Sequence, residues 1–151
     1  MAHTKKEKNN IIELASSIRI SITHLVRRLR KERMDESLSL SKLSILGILF
    51  CKGPVTATDL AKRAHIRPQS LTRLIAFLEK RGFVSRQPDE ADRRRLLTTI
   101  TAQGKKVLSA DVRRKEAWLA KVIEQVLSPE ERELLFHASR LLERLTGDDS
   151  R

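Results

Sequence analysis

Two short stretches of the sequence concentrate side chains that suit nucleic-acid binding. The first spans residues 67–73 and offers guanidinium, amide and hydroxyl groups, at Arg67, Gln69, Ser70, Thr72 and Arg73. Arginine can donate two hydrogen bonds to guanine, glutamine can pair with adenine, and hydroxyls bond bases or phosphates. At the start of a helix, these groups would enter a DNA major groove together with free main-chain N–H groups. The alternative is a solvated polar face without a partner.

The second stretch is a charged loop with three consecutive arginines, Arg93, Arg94 and Arg95. At the tip of a β-ribbon, arginine can enter the minor groove, where the negative potential is deepest over narrow A·T tracts. Asp92 would be repelled by phosphate, so we expect it to hold an arginine by a charge-assisted hydrogen bond. The alternative is a loop in which the arginines and the neighbouring acidic residues neutralise each other.

The first stretch is predicted to lie on the second of two short helices. Thr56 is placed to cap the first helix, and Asp59, three residues on, completes a capping box. Pro68 suits the first turn of the second helix and Gly82 suits its end. Because the link between the two is short, the sequence predicts a helix-turn-helix over residues 56–81.

The second stretch is predicted to lie between two β-strands. Residues 83–86 and 96–101 are rich in β-branched and apolar side chains, as paired strands are. The charged loop 87–95 joins them. A strand, a basic loop and a strand directly after a helix-turn-helix predict a wing over residues 83–101.

Further helices are predicted on both sides of this core. Apolar residues recur every three or four positions over residues 11–33 and 102–127, as on amphipathic helices. A helix over 40–50 is placed to be capped by Ser39. The run Ser-Pro-Glu-Glu that begins at Ser128 predicts a capped last helix. The expected fold class is mainly α with a small two- to three-stranded β wing.

Composition fits one globular domain, expected over residues 7–146 with tails at 1–6 and 147–151. The net charge is +12, and residues 56–106 hold 12 Lys and Arg against 5 Asp and Glu. Such an excess suits phosphate binding, and on charge alone it equally suits a solvated surface. No apolar run is long enough for a membrane span, and residues 1–10 lack the apolar stretch of a secretion signal. A single cysteine excludes an intramolecular disulfide framework, and we expect a reducing cytoplasm.

The chain resembles the MarR family of bacterial transcriptional regulators over about residues 7–146. The resemblance is strongest in a series of motifs that occur in the family's order and at matching spacing. They are Leu60-Ala61, the run LEKRGFVSR at 78–86, Asp92-Arg93-Arg94, Leu97 through Thr101, and Gly104.

The resemblance also implies roles for particular residues. Asp92 and Arg94 fall on the family's Asp-x-Arg pair, and Ser70, Thr72 and Arg73 on its base- and phosphate-contacting positions. One departure is the lysine at position 42, where many members carry glutamine.

A triangular homodimer with interleaved first and last helices is also implied by the resemblance. Both terminal helices, 11–33 and the last part of 102–146, carry apolar stripes that a monomer of this length would struggle to cover. The interface candidates are Ile11, Leu14, Ile18, Leu134, Leu135, Leu141 and Leu142. For each of them the alternative is packing within one subunit.

Such a dimer is expected to bind double-stranded DNA at a pseudo-palindromic site, with half-site centres roughly 34–36 Å apart. The resemblance implies repression, by blocking polymerase at a promoter. Many relatives release DNA when a small phenolic or anionic effector binds between the dimer helices and the winged domain. Such a ligand must favour a dimer state whose recognition helices no longer match the groove spacing.

The remaining reactive residues show no catalytic or metal-binding pattern. His24, His65 and His137 are scattered, without partners at metal-ligand spacing. Cys51 is expected to be a packed, inert thiol. No phosphate loop or nucleophile motif is present, so we expect neither an enzyme nor a cofactor. The basic cluster over 27–33 has three interpretations: it contacts phosphates that flank the binding site, it lines a pocket for an anion, or it is a solvated helix end.

Two functions therefore compete. The first is a sequence-specific, ligand-responsive transcriptional repressor. The second is a basic winged-helix module that binds protein, or coats DNA without sequence preference, and has no ligand response. Binding to the gene's own upstream region, compared with a scrambled duplex, distinguishes them.

Overall fold

Six helices and a three-stranded antiparallel sheet make up the part of the chain that the structure describes. The computed structural model describes residues 2–33 and 35–146, with side chains over 9–33 and 35–145. In chain order the elements are α1 (Ala2–Arg30), α2 (Leu40–Lys52), β1 (Val55–Thr56), α3 (Ala57–Ala64), α4 (Pro68–Lys80), β2 (Val84–Pro88), β3 (Leu96–Ile100), α5 (Ala102–Val126) and α6 (Pro129–Thr146). The chain divides into two compact units, residues 1–115 and residues 116–151. The predicted fold class, mainly α with a small β wing, is confirmed.

The first helix differs from its prediction at both ends. It begins at Ala2, so its start lies inside the segment predicted as a tail over residues 1–6. It ends at Arg30 rather than at residue 33, and a turn follows. Basic side chains in its last turn suit the negative end of the helix dipole. The tail predicted over 147–151 lies outside the described residues.

The hydrophobic core of the first unit lies among α2, α3, α4 and the sheet. In α4, Leu71, Ile75 and Leu78 are buried at a spacing of four and then three residues, which places them on one face of the helix. They pack with a larger buried set: Leu43, Ile45, Leu46, Leu49, Leu60, Ala61, Phe83, Val84 and Ile100. Because α4 packs this one stripe of residues against the core, the opposite face of the helix is exposed to solvent.

The sheet has the strand order β1-β3-β2, with both pairings antiparallel. In the hairpin, Val84 pairs with Ile100 and Pro88 with Leu96, so β2 extends two residues further than predicted and takes in Pro88. The short strand β1 was not predicted. It places Val55 opposite Thr98 and thereby joins the start of α3 to the wing.

The predicted helix caps are confirmed in two of three cases. The Asp59 N–H donates to the Thr56 hydroxyl (3.2 Å), which itself donates to the Asp59 carboxylate (2.8 Å). Ser128 and Glu131 form a reciprocal capping box, with bonds of 3.3 and 2.8 Å. Ser39 occupies the predicted cap position of α2, but its side chain makes no capping hydrogen bond, so this prediction is wrong.

The end of α4 is tied closely to the start of α5. Gly82 takes φ 71°, and the Phe83 N–H donates to the Leu78 carbonyl (2.9 Å), as in a Schellman motif. The Thr101 hydroxyl donates to the Gly82 carbonyl (2.6 Å) and accepts from the Gly104 N–H (3.0 Å). A side chain at position 104 would meet the Phe83 carbonyl oxygen at 2.1 Å. Glycine is therefore required where α5 crosses this turn.

An ion pair joins α4 to β2. The Arg86 Nε donates to both Glu79 carboxylate oxygens, at 3.1 and 3.0 Å, and a terminal nitrogen donates at 2.5 Å. These hydrogen bonds, followed by the charge of Arg86, lower the pKa of Glu79 below its usual value. The same bonds raise the pKa of Arg86. The pair fixes the start of the wing against the end of α4.

This pair predicts a pH-dependent contribution to stability. Because the Glu79 pKa is lowered on folding, the ion pair stabilises the fold above the ordinary value of 4.5, and the stabilisation is lost as the pH falls through the lower folded pKa. Both side chains are partly exposed, so we expect at most about 1 kcal/mol. Glu79→Gln should therefore lower Tm at neutral pH, and this difference should vanish in acid.

The control for this prediction is Glu90→Gln, which removes an acid from the wing loop where the described structure shows no ion pair. Thermal unfolding of both variants and of the unmodified protein is followed from neutral to acidic pH. If the Glu79→Gln curve runs parallel to the unmodified one throughout, the ion pair contributes nothing.

Candidate nucleic-acid interface

Residues 65–67 form the turn between α3 and α4. His65 has φ 51°, a left-handed conformation that is uncommon for residues other than glycine. Its N–H donates to the Lys62 carbonyl, and the Ile66 N–H donates to the Ala61 carbonyl (3.0 Å). The chain thus reverses out of α3 at His65 and enters α4 at Pro68, which completes the predicted helix-turn-helix.

The polar residues predicted for recognition all lie at the start of α4, and all are exposed: Arg67, Gln69, Ser70, Thr72 and Arg73. Arg67 occupies the N-cap position in extended conformation, and its exposed guanidinium, which carries only donors, takes no part in capping. The Thr72 hydroxyl donates to the Pro68 carbonyl (3.0 Å), so its oxygen can still accept a bond. The structure brings the five side chains together on the solvent side of α4.

Main-chain hydrogen bonds shape the tip of the wing. The Asp89 N–H donates to the Arg95 carbonyl (2.9 Å), and the Ala91 N–H donates to the Asp89 carboxylate (3.0 Å). The Asp92 carboxylate accepts from the Arg94 N–H (3.0 Å), while its carbonyl accepts from the Arg95 N–H (2.9 Å). As expected, Asp92 holds an arginine by a hydrogen bond to its carboxylate, and the donor is the main-chain N–H of Arg94 rather than a guanidinium.

The three wing arginines point away from internal partners. Arg93, Arg94 and Arg95 are exposed, and within the described residues none of them forms an ion pair with Asp89 or with any other acid. A loop that neutralises itself would show such pairs. The arrangement therefore favours guanidinium groups that are free to bind an anionic partner.

The wing and the helix-turn-helix meet at a cleft of about 460 Å³. One wall is the start of α3, with Thr58 and Asp59, and the other is the wing, with Arg94 and Arg95 next to the start of β3. Because β1 continues into α3 and pairs with β3 of the wing, the sheet fixes the position of the start of α3 relative to the wing. Two sets of residues that are distant in sequence therefore border one region of the surface.

Sequence reasoning missed a group at the other end of α4, which we call the anchor cluster: Asp35, Ser37, Lys42, Phe77 and Arg81. Arg81 pairs with Asp35 at 2.9 Å, and Lys42 donates to the Ser37 carbonyl at 2.5 Å. The Lys42 ammonium also lies 3.3 Å from the centre of the Phe77 ring. Hydrogen bonds from Ser37, and then the charge of Arg81, lower the pKa of Asp35.

The predicted dimer residues are mostly exposed. Ile11 and Leu14 on α1 are 62% and 61% exposed, and Leu134 and Leu141 on α6 are 69% and 57% exposed. Leu135 is also exposed, whereas Ile18 and Leu142 are half-buried. Most of these side chains are therefore not buried within the unit that holds them. The structure leaves an apolar face on each of the two helices.

Other residues give little sign of a reactive site. Cys51 is exposed, so the prediction of a packed thiol is wrong. It lies on the side of α2 opposite Leu46 and Leu49, which face the core. Among the described side chains, no three acidic, cysteine or histidine groups come together as a metal site requires. Within the same residues, no helix has the length and apolar character to cross a membrane.

The fold and surface together define a winged helix-turn-helix protein. Its α3–α4 pair presents exposed polar residues, and its β2–β3 hairpin presents exposed arginines. The chain belongs to the MarR family of transcriptional regulators, whose members bind DNA, and the model of that family matches residues 38–96.

Comparison with individual proteins agrees. An uncharacterized HTH-type transcriptional regulator of Mycobacterium leprae is 35% identical over 129 residues, which cover 85% of this chain and 90% of that protein. The crystal structure of a candidate transcriptional regulator from Pseudomonas aeruginosa PA01 is 32% identical, covers 91% of this chain and 96% of its own, and has a TM-score of 0.81.

A more distant structure shares the fold alone. It is the BpsR protein of Bordetella bronchiseptica, 22% identical, with a TM-score of 0.62 over 85% of this chain and 91% of its own. Its description concerns regulation of DNA binding by 6-hydroxynicotinic acid.

Proposed function

We propose that the chain is a sequence-specific transcriptional repressor that binds a pseudo-palindromic DNA operator as a homodimer. The observation that carries this proposal is a pair of exposed groups within the described residues: the polar start of α4, and the wing arginines, of which Arg94 and Arg95 border a cleft with the start of α3. The first group has the donors and acceptors that read base edges, and the second has the charge that binds phosphates and minor grooves.

In this proposal the start of α4 enters the major groove. Arg67, Gln69 and Arg73 supply base-reading groups, while Ser70 and Thr72 bond phosphates or bases. Support comes from the burial pattern, because the stripe containing Leu71 faces the core and leaves these five side chains outward. The first turn of the helix also adds its partial positive charge toward the phosphates.

The wing is proposed to follow the adjacent minor groove, with Arg94 as the inserted side chain. Asp92 fixes the main chain at Arg94 and so defines the direction in which its side chain leaves the turn. Arg93 and Arg95 flank it, exposed, and are assigned to phosphates. A narrow groove over A·T base pairs would attract such an arginine most strongly.

A second copy of the chain is proposed to cover the apolar faces of α1 and α6. The support is the exposure of Ile11, Leu14, Leu134 and Leu141, since large apolar side chains repeated along a helix seldom stay in water. Two-fold symmetry then presents two recognition helices to successive turns of one DNA face.

The proposed effector is a small aromatic acid or phenol. Its support is the distant BpsR structure, whose DNA binding is described as regulated by 6-hydroxynicotinic acid. Such a ligand would weaken DNA binding if it prefers the dimer state that fits the operator poorly. Addition of a panel of aromatic acids to the preformed complex tests this, and a complex unchanged by every acid removes the effector from the proposal.

The main test is a comparison of two duplexes. DNA fragments selected by the purified protein are sequenced, and the consensus duplex is compared with a scrambled duplex of the same composition at physiological salt. We expect preferential binding of the consensus, with two chains per duplex and a two-fold symmetric consensus. Equal binding of the two duplexes would instead support a basic module that coats DNA or binds protein.

A further inference from the structure

The recognition helix is held on more than its buried face. The core stripe of Leu71, Ile75 and Leu78 packs α4 against the hydrophobic core, and α3 packs beside α4. A single stripe restrains the distance of a helix from the core better than it restrains rotation about the helix axis. Restraint on that rotation comes from Leu74 and Phe77, which are partly buried against the same core, and from contacts on the flanks of the helix.

The anchor cluster supplies such a restraint. Phe77 lies in α4, and Arg81, four residues on, is its C-cap residue, so both follow one ridge of the helix, roughly a quarter to a third of a turn from the core stripe. Lys42 of α2 covers the Phe77 ring, and Asp35 of the preceding loop pairs with Arg81. Arg81 also lies over the Phe77 and Phe83 rings, at 5.9 and 5.4 Å from their centres.

The same ridge continues into the recognition surface. Counting back from Phe77 in steps of four gives Arg73 and then Gln69, two of the side chains proposed to read bases. At a helix radius of about 5–6 Å including side chains, a rotation of 10° moves the ridge by about 1 Å. Such a shift is enough to break a hydrogen bond to a base edge. A rotation of α4 at its C-terminal end therefore displaces Arg73 and Gln69, the side chains proposed to read bases.

We propose that the anchor cluster is a positioning site that sets the rotation of the recognition helix and thereby determines DNA affinity and base discrimination. This inference rests on the proposed function. Its residues touch one another and not the DNA. Without the cluster, only a fraction of molecules holds α4 in the binding orientation, and the apparent Kd rises by the inverse of that fraction.

Three variants test the inference: Arg81→Gln, Lys42→Met and the charge exchange Asp35→Arg with Arg81→Asp. Lys106→Gln, on an exposed position of α5, removes one positive charge as a matched control. Because each contact is partly exposed, we expect the two single variants to weaken binding of the consensus duplex about fivefold. The Tm should change by no more than about 3 °C. The charge exchange should restore much of the affinity lost in Arg81→Gln.

The salt dependence separates positioning from direct contact. A positioning role predicts that the slope of log K against log salt stays unchanged, while the ratio of consensus to scrambled binding falls. A slope smaller by about 0.9 in Arg81→Gln would mean that Arg81 contacts a phosphate itself, which overturns the inference. Variants that bind like Lys106→Gln also overturn it.

Binding measurements on the unmodified protein alone show whether the proposed function fails, independently of the anchor variants. If that protein does not distinguish consensus from scrambled duplex, the repressor proposal fails and the inference falls with it. If the unmodified protein distinguishes them and the anchor variants do so equally well, only the inference fails.

Discussion

Replacing Gly104 by alanine is expected to lower the free energy of unfolding by about 3 kcal/mol. The new Cβ would lie 2.1 Å from the Phe83 carbonyl oxygen and 2.9 Å from the Ile100 Cγ1, closer than such carbon atoms approach other groups. Since the nearest atom belongs to the main chain, a side-chain rotation does not relieve the clash. The start of α5 must move away from the turn that joins α4 to β2. Denaturant unfolding measures the change.

Gly47→Ala is the matched control, because it adds the same methyl group to another helical glycine. An added Cβ at position 47 meets no atom within 4 Å. Alanine is preferred over glycine inside a helix by about 1 kcal/mol, so this variant should be more stable than the unmodified protein. Equal stability of the two alanine variants would show that the close approach at Gly104 does not exist in solution.

Arg94→Ala is expected to weaken binding of the consensus duplex about 10- to 100-fold. Among the described residues the guanidinium forms no ion pair, so its removal should leave Tm unchanged while it deletes the proposed contact to DNA. The loss should be greatest where the flanking sequence is A·T-rich, because the narrow groove there attracts arginine most. Titrations of duplexes that differ only in their flanks measure this dependence.

Arg73→Ala should also weaken binding, and the salt slope identifies the contact that was lost. A reduced ratio of consensus to scrambled binding indicates base reading, whereas a slope smaller by about 0.9 indicates a phosphate. Arg113→Ala, exposed on α5, serves as the control for charge. If Arg94→Ala and Arg73→Ala both bind like Arg113→Ala, the proposed docking of α4 and the wing is wrong.

The parts of the fold that the sequence predicted well are those decided by local chemistry. Thr56 and Ser128 cap their helices through bonds within three residues, and Gly82 ends α4 through its own backbone freedom. The hairpin was recognised because its strands are rich in β-branched residues. Such signals need only neighbouring residues, so no knowledge of tertiary contacts is required.

The failures have a common physical cause. β1 is two residues long, too short for an alternating pattern, and it exists only because β3 lies beside it. Asp35 and Arg81 are 46 positions apart, so their contact leaves no trace in either local segment. The sequence offered the Asp92 carboxylate two kinds of donor, an arginine guanidinium and a main-chain N–H. Only the geometry of the turn selects the main-chain N–H of Arg94.

In the wing, the residues that determine the shape of the loop differ from those proposed to contact DNA. Asp89 and Asp92 hold the turn through bonds to main-chain groups, while the side chains of the three arginines beside them contribute nothing to its closure. Evolution can therefore exchange any of these arginines for another residue and alter the DNA sequences that a descendant prefers, without rebuilding the loop. A change at Asp92, by contrast, moves all three side chains together. Among relatives we therefore expect faster diversification at Arg93 and Arg95 than at Asp92, whereas Arg94 belongs to the Asp-x-Arg pair of the family.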